Sequence, residues 1–152
     1  MDDKDLQSLL DYFAVTEVIL RFARALDLKD WKLCRSCFLD EIEADYSAFR
    51  GKPSTIISAD EFVELRREAL KNLKTLHLSA NHAVEVAGDI ATCISGMVIY
   101  RFLPEENEHF DSFVYYHHTL VRNSVEWKIS KVKQTLLWNE GNSQIHKGAK
   151  QQ

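Results

Sequence analysis

Hydrophobic residues recur with a helical period near the start of the chain. Steps of three and four residues place them on one face of a helix, which we predict over residues 6–27. The residues of this face are Val15, Val18, Ile19, Phe22 and Leu26. Asp30 is a residue type that caps helices, so a second helix is predicted over residues 31–38.

The pattern changes twice before the middle of the chain. Residues 41–46 alternate between polar and apolar side chains, as a short strand does, and residues 50–53 are typical of a loop. Ser58 and Glu61 have the three-residue spacing of a capping box. We therefore predict a third helix that begins there and ends near residue 73.

Long segments typical of β-strands fill the second half. They are rich in β-branched and aromatic residues and span residues 76–86, 90–103, 109–121 and 127–138. The breaks between them are short enough for hairpins, so the sheet is predicted to be mostly antiparallel. We predict one α+β domain over residues 1–140 and a frayed polar tail over residues 141–152. Long strands twist and curl, so helices across the open side would enclose a pocket.

Composition and charge narrow the class of protein. With 152 residues, of which 45% are hydrophobic and 28% charged, the chain suits one globular domain. Its net charge of −4 argues against a nucleic-acid partner. No apolar run approaches the roughly 18–20 residues of a membrane span, and the acidic start is unlike a signal peptide. Three cysteines, an odd number, fit a reducing compartment, so we expect a cytoplasmic protein.

Two residues are candidates for acid–base chemistry. Asp27 lies on the shoulder of the first helix's apolar face, where a half-buried carboxylate is a usable base. The alternative is a solvated carboxylate at a helix end. His77 shares one face of a predicted strand with Ser79 and Asn81. That polar face either lines a cavity or faces water, and in the second case His77 is only a hydrogen-bonded bystander.

Aromatic and polar residues of the later strands are candidates for ligand contacts. Tyr116 and His118 are two positions apart and share a face, whereas Tyr100 and Arg101 point to opposite faces. Tyrosines at such positions suit a small-molecule pocket or a subunit interface. Apolar side chains occur on both faces of these strands. Because only one face can line the pocket, we predict a homodimer or homotrimer built on the outer face.

Motifs of metal and cofactor chemistry are missing from the sequence. The six histidines are scattered, and no carboxylates accompany them at ligand spacing, so we predict no bound metal. Cys34 and Cys37 form a C-x-x-C in a short predicted helix and are interpreted as packed small hydrophobic residues. Neither a nucleophile elbow nor a glycine-rich phosphate or dinucleotide loop occurs, so nucleophilic hydrolysis, phosphoryl transfer and nicotinamide chemistry lack their usual sequence motifs.

Several stretches resemble the SnoaL-like family of the nuclear transport factor 2-like superfamily. The similar stretches are residues 22–31, 37–38, 43–46, 75–77, 81, 84–86, 88–91 and 125–129. The resemblance therefore extends over most of residues 6–138. It implies a cone, in which helices pack over a curved sheet and enclose a pocket.

Within the family, the chain resembles the branch that contains scytalone dehydratase and a hexachlorocyclohexane dehydrochlorinase. That branch pairs an aspartate at the end of the first long helix with a histidine on the strand after the third helix. Asp27 and His77 hold these positions here. Tyr46 matches a pocket tyrosine of the dehydratase, whereas Leu26 replaces the tyrosine that precedes its aspartate. The chain is therefore expected to act on a different substrate.

The resemblance implies a lyase or isomerase that uses no metal or organic cofactor. We expect Asp27 and His77 to be catalytic and their side chains to lie within hydrogen-bond reach, about 3 Å, or one water apart. The expected substrate is small and apolar, aromatic or cyclic, and its contacts are expected from Trp31, Tyr46, Asn81, Tyr100, Arg101, Tyr116 and His118. The alternatives are a non-catalytic small-ligand binding module and a small structural subunit of an oxygenase-like complex.

Overall fold

Helices precede a large sheet along the chain, which confirms the predicted α+β class. The computed structural model describes residues 2–146. The helices are α1 (Asp3–Leu28), α2 (Trp31–Ser36), α3 (Ser47–Arg50) and α4 (Ala59–Leu70). The strands are β1 (Phe38–Asp45), β2 (Thr55–Ser58), β3 (Lys74–Ala87), β4 (Ile90–Leu103), β5 (Glu108–Asn123) and β6 (Glu126–Gly141). A 3-10 turn, Ser143–Ile145, follows.

Capping residues set the ends of the helices. Asp2 accepts a hydrogen bond from the backbone N–H of Asp5 at 2.8 Å and begins α1. Asp30 accepts one from the N–H of Leu33 at 2.9 Å and begins α2, as predicted. Ser58 begins α4 in the same way. These local bonds satisfy N–H groups that the first turn of a helix leaves free.

The six strands form one curved sheet in the order β2-β1-β6-β5-β4-β3. The four long strands pair antiparallel through hairpins, as the short breaks predicted. The sequence pattern did not predict β2, which has four residues, or the parallel pairing of β1 with β6. That parallel pair needs a long crossover, so no local turn signal exists for it.

The core lies between the helices and the inner face of the sheet. Residues of β4 alternate between exposed and buried along almost the whole strand. Helix α1 packs mainly on β3 and buries the apolar face that the sequence predicted. A partly buried ion pair also fixes α1, because Arg122 donates to Asp11 at 2.9 Å and Trp127 donates to the same carboxylate. In residues 2–146, no helix is long and apolar enough to cross a membrane.

A bulge in β3 corrects the predicted strand faces. The register with β4 shifts between Ala80 and Ala83, and Asn81 has a φ of 55°. The extra residue moves Asn81 to the exposed side and returns His82 to the face of Ser79, whose Oγ lies 2.9 Å from His82 Nε2. The expectation that Asn81 shares a face with His77 is therefore wrong.

The end of the chain folds back on the domain further than predicted. Residues 142–146 follow β6, and the N–H of Asn142 donates to the carbonyl of His109 at 2.7 Å. His146 is buried and packs edge-on against Phe49. The predicted frayed tail is therefore corrected for residues 141–146, while residues 147–152 lie outside the described part of the chain.

Candidate active site

Asp27 and His77 meet where the last turn of α1 packs against β3. The Oδ1 atom of Asp27 lies 2.6 Å from His77 Nδ1, and its Oδ2 accepts the backbone N–H of His77 at 2.8 Å. Thr75 Oγ1 donates to Oδ1 at 2.9 Å. The side chain of His77 is only 5% exposed and that of Asp27 15%. Three hydrogen bonds thus fix the carboxylate, and the carboxylate fixes the ring.

The contact sets the proton arrangement of His77. A carboxylate only accepts hydrogen bonds, so Nδ1 must carry the proton, and Nε2 keeps its lone pair. Burial lowers the pKa of His77, although the hydrogen bond and charge of Asp27 act in the opposite direction. Arg101 and Arg66 lower that pKa further. At neutral pH the ring is therefore uncharged and able to take up a proton at Nε2.

His77 lines a small cavity under the helices, with a volume of about 30 Å³. Its polar lining consists of His77, Tyr46, Arg50, Arg66, Arg101, Tyr116, Gln134 and His146, and its apolar lining of Phe22, Leu26, Phe49, Leu70 and Ile99. The structure therefore brings together five predicted site residues: Asp27 directly behind His77, with Tyr46, Arg101 and Tyr116 in the cavity wall.

Two tyrosines of the cavity have different surroundings. The hydroxyl of Tyr116 accepts a hydrogen bond from Gln134 Nε2 at 2.9 Å. Burial raises the pKa of Tyr116, so this hydroxyl keeps its proton. The buried hydroxyl of Tyr46 has no hydrogen-bond partner within residues 2–146. Both hydroxyls can therefore donate to a negatively charged oxygen in the cavity.

Four predicted contact residues lie elsewhere. Tyr100 is 44% exposed on the outer face of the sheet, opposite Arg101, and Asn81 is exposed at the bulge of β3. Trp31 packs, half-buried, against the hydrophobic core. His118 is fully buried beside the cavity rather than in its wall, with its ring stacked 5.2 Å from that of Tyr116. The alternation of side chains along a strand explains why Tyr100 lies outside the cavity, since only one of two successive residues can face it.

Four polar residues of the cavity were missed by the sequence analysis. They are Arg50, Arg66, Gln134 and His146. The sequence could have predicted that Arg66 is buried, because it lies four residues from both Phe62 and Leu70 on the buried face of α4. Gln134 shares the strand face of Val132. No sequence pattern predicts the burial of His146, because it depends on how the chain folds back on the domain after β6.

The described residues provide neither a metal site nor a reactive thiol here. Within residues 2–146, no three His, Cys, Asp or Glu side chains are grouped so that they could hold a metal ion. Cys34 and Cys37 are buried, and burial raises their pKa to about 12 and about 11. Such thiols are poor nucleophiles, which agrees with their interpretation as packing residues.

A curved sheet covered by helices, with a polar cavity between them, defines the nuclear transport factor 2-like superfamily. More particularly, a model of the SnoaL-like domain matches residues 7–133, so the chain belongs to the SnoaL-like family. No curated protein matches the sequence significantly.

Solved structures share this fold at low sequence identity. The Kfla4162 protein from Kribbella flavida superposes with a TM-score of 0.86 at 23% identity, covering 91% of this chain and 97% of the other. A hexachlorocyclohexane dehydrochlorinase from Novosphingobium barchaimii gives 0.78 at 19% identity, covering 93% and 97%. A proposed scytalone dehydratase from Novosphingobium aromaticivorans gives 0.77 at 15% identity, covering 88% of each chain. At these identities the similarity shows the fold alone.

Proposed function

We propose that this protein is a cofactor-free lyase or isomerase that begins its reaction by removing a proton from carbon. One observation carries the proposal: Nδ1 of His77 is 2.6 Å from Asp27, and the same ring lines the cavity. A neutral imidazole with one nitrogen bound to a carboxylate and the other directed to a ligand is the arrangement of a general base.

The proton balance of the reaction assigns a role to each group. His77 Nε2 takes the proton from a carbon beside a carbonyl or leaving group, and the C–H electron pair moves into the substrate. Asp27 stabilises the imidazolium that forms. In an elimination the electron pair expels the leaving group, whereas in an isomerisation His77 returns the proton to another carbon. Tyr46 and Tyr116 donate to the oxygen on which charge develops.

Two further features belong to this proposal. We propose a homodimer or homotrimer, supported by the apolar side chains exposed on the outer sheet face, among them Leu76, Leu78, Ile94 and Tyr115. We also propose a cytoplasmic location, supported by the three cysteines, which are buried and unpaired.

Hydrogen–deuterium exchange at carbon tests the proposal whatever the leaving group is. The protein would be incubated in D₂O with a panel of cyclic ketones, cyclic β-hydroxy carbonyl compounds and ring-bearing carboxylates, and C–D formation and elimination followed by NMR. The wild type is expected to accelerate one of these reactions. His77→Gln and Asp27→Asn should each lower that rate by about 10²-fold or more.

A matched control is available on the outer face of the same sheet. His117 is exposed, so His117→Gln makes the same chemical change away from the cavity and should retain the full rate. A His77→Gln variant that keeps the wild-type rate would eliminate the proposed base. Binding of panel compounds without any exchange would instead favour the non-catalytic binding module.

A further inference from the structure

Three arginine side chains converge on the cavity without an acidic partner. Arg50, Arg66 and Arg101 all line it. None of them forms an ion pair with a carboxylate in residues 2–146. A buried cation without a counterion is costly, so a ligand that supplies the opposite charge would bind favourably here.

Arg66 is stacked on aromatic rings. Only 8% of this residue is exposed, and its guanidinium carbon lies 4.4 Å from the ring centre of Tyr46 and 4.6 Å from that of Phe62. Stacking leaves the edge of the guanidinium, where its N–H groups point, free for an acceptor. The guanidinium carbon of Arg50 lies 5.5 Å from the centre of the same Tyr46 ring. The buried Nε of Arg50 has no hydrogen-bond partner within the described chain.

Arg101 is held in place but only partly satisfied. Its Nη1 donates to Ser112 Oγ at 2.8 Å and to the carbonyl of Phe110 at 3.3 Å, while its Nε has no partner among the described residues. The carboxylate of Asp111 accepts the backbone N–H of Arg101, not its guanidinium. Burial lowers the pKa of Arg101 to about 10, so the side chain remains positively charged at neutral pH.

The carboxylates of Asp27 and Asp111, which lie closest to the cavity residues, already accept other hydrogen bonds. Asp27 lies behind His77 and accepts three hydrogen bonds from Thr75 and His77. The remaining polar groups of the cavity wall are neutral, since burial lowers the pKa of His146 to about 2 and keeps Tyr116 protonated. The cavity therefore has a net positive charge that a neutral substrate would not balance.

A second, mainly apolar cavity of about 90 Å³ adjoins the first. We call this second cavity the outer cavity and the one lined by His77 the inner cavity. Tyr46, Arg50 and Arg66 line both cavities and so form the wall between them. The outer cavity is otherwise lined by apolar side chains such as Ile57, Phe62 and Leu65, apart from Lys52 and Thr55. A ligand with an apolar ring and one anionic end matches this order, with its ring in the outer cavity and its anion at the arginines that also line the inner cavity.

We infer that the substrate of the proposed lyase or isomerase is a small carboxylate whose ring occupies the outer cavity and whose carboxyl group binds Arg50, Arg66 and Arg101. That the ligand is a substrate rests on the proposed function, whereas the anion site itself does not depend on it. A planar guanidinium pairs with a carboxylate through two parallel hydrogen bonds. The inner cavity of about 30 Å³ favours a carboxylate over the bulkier phosphate group.

The site would also assist the reaction chemically. Removal of a proton beside a carboxylate moves the C–H electron pair onto the carboxylate oxygens, which then carry a second negative charge. Three cations around those oxygens stabilise this charge, and the burial of Arg66 and Arg101 strengthens their effect. Arginine contacts at the carboxylate therefore strengthen as the proton is transferred to His77 Nε2.

Equilibrium binding tests the inference without turnover. Benzoate and benzamide have nearly the same shape and differ in charge, so their dissociation constants would be measured by calorimetry or ligand-observed NMR. The wild type is expected to bind benzoate at least 10-fold more tightly than benzamide. Arg66→Met keeps the length and stacking of the side chain but removes the charge, and should abolish this preference.

Two variants make the outcome specific. Arg67 lies on the exposed side of the same helix, so Arg67→Met is the matched control and should leave both affinities within 2-fold of the wild type. His77→Gln should lose exchange activity yet keep the preference for benzoate, which separates the anion site from the proposed base.

Four results would contradict the inference. Equal affinities of the wild type for benzoate and benzamide would remove the anion site, and so would an Arg66→Met variant that keeps the preference. Phenyl phosphate that binds more than 10-fold more tightly than benzoate would replace the carboxylate with a phosphate. Exchange activity on neutral ketones alone would leave the proposed reaction intact while contradicting the substrate class.

Discussion

The carboxylate of Asp27 accepts hydrogen bonds from both the backbone and the ring of His77, at 2.8 and 2.6 Å. One contact ties the end of α1 to β3, and the other sets the orientation of the imidazole. The ring therefore depends on a tertiary contact between residues 50 positions apart. An identical histidine on an isolated hairpin would have neither the orientation nor the proton arrangement that the proposed reaction requires.

The proton position on His77 is the first testable consequence. In the wild type, NMR with ¹⁵N-labelled histidine should show the His77 proton on Nδ1, because the Asp27 carboxylate can only accept. Asp27→Asn introduces an amide that can present its N–H₂ to the ring, so part of the population should move to the Nε2 proton. Thr75→Val removes only the third hydrogen bond to Asp27 and should leave the proton on Nδ1. A wild type with the proton on Nε2 would contradict the arrangement.

Acid should destabilise the protein through its buried histidines. Burial lowers the pKa of His77, and it lowers those of His118 and His146 to about 3 and about 2. Above the unfolded value of about 6.5 these rings are neutral in both states, so their contribution to stability is complete. Below it the unfolded chain binds protons that the folded chain does not. The free energy of unfolding should then fall by about 1.4 kcal/mol per pH unit for His118 and again for His146, and His77 contributes a loss in the same direction.

The contribution of His118 can be isolated by substitution. Neither nitrogen of its ring has a hydrogen-bond partner in the described chain, so His118→Leu removes no hydrogen bond and about preserves the volume. Urea denaturation between pH 6 and pH 4 should show a shallower loss of stability, by about 1.4 kcal/mol per pH unit. His117→Leu, on the exposed face, should leave the slope unchanged. Equal slopes for His118→Leu and the wild type would show that His118 is protonated in the folded protein.

Gly141 should be essential where β6 turns toward the cavity. Its φ is 90°, and an added Cβ would lie 2.2 Å from the carbonyl oxygen of His109. Gly141→Ala should therefore lower the free energy of unfolding by clearly more than 1 kcal/mol, which is about the cost of strain alone. Gly88 is the matched control, since its φ is 61° and no atom lies within 4 Å of an added Cβ. Equal losses for the two alanine variants in chemical denaturation would contradict a steric role.

The outer sheet face should determine the oligomeric state. Leu78 is 49% exposed there, among other apolar side chains of β3 and β4. Light scattering at micromolar concentration should give the mass of a dimer or trimer, and Leu78→Lys should shift it toward the monomer because a lysine disfavours an apolar interface. Val125→Lys, at a turn where the residue is 90% exposed, should leave the mass unchanged. A monomeric wild type would contradict this prediction.

The hydrophobic pattern by itself determined the main elements of the fold. The stripe on α1 and the alternation on the long strands depend only on where successive side chains point, and the hairpins on short polar breaks. The same alternation placed Arg101 opposite Tyr100 and Tyr116 opposite Tyr115, but it did not indicate which of the two faces lines the cavity. Asp27 and His77 were paired by resemblance to a family, because two residues so far apart in sequence share no local pattern.

Only the tertiary structure decided which polar groups share the cavity. The bulge in β3 moved Asn81 out, and the return of the chain after β6 brought His146 in. Arg66 lies on a helix face whose pattern shows that it is buried but not what it faces. Local periodicity fixes the direction of a side chain relative to its own element, whereas a site requires that several elements meet. That depends on which buried surfaces fit together, and so the arginine-lined cavity emerged only with the fold.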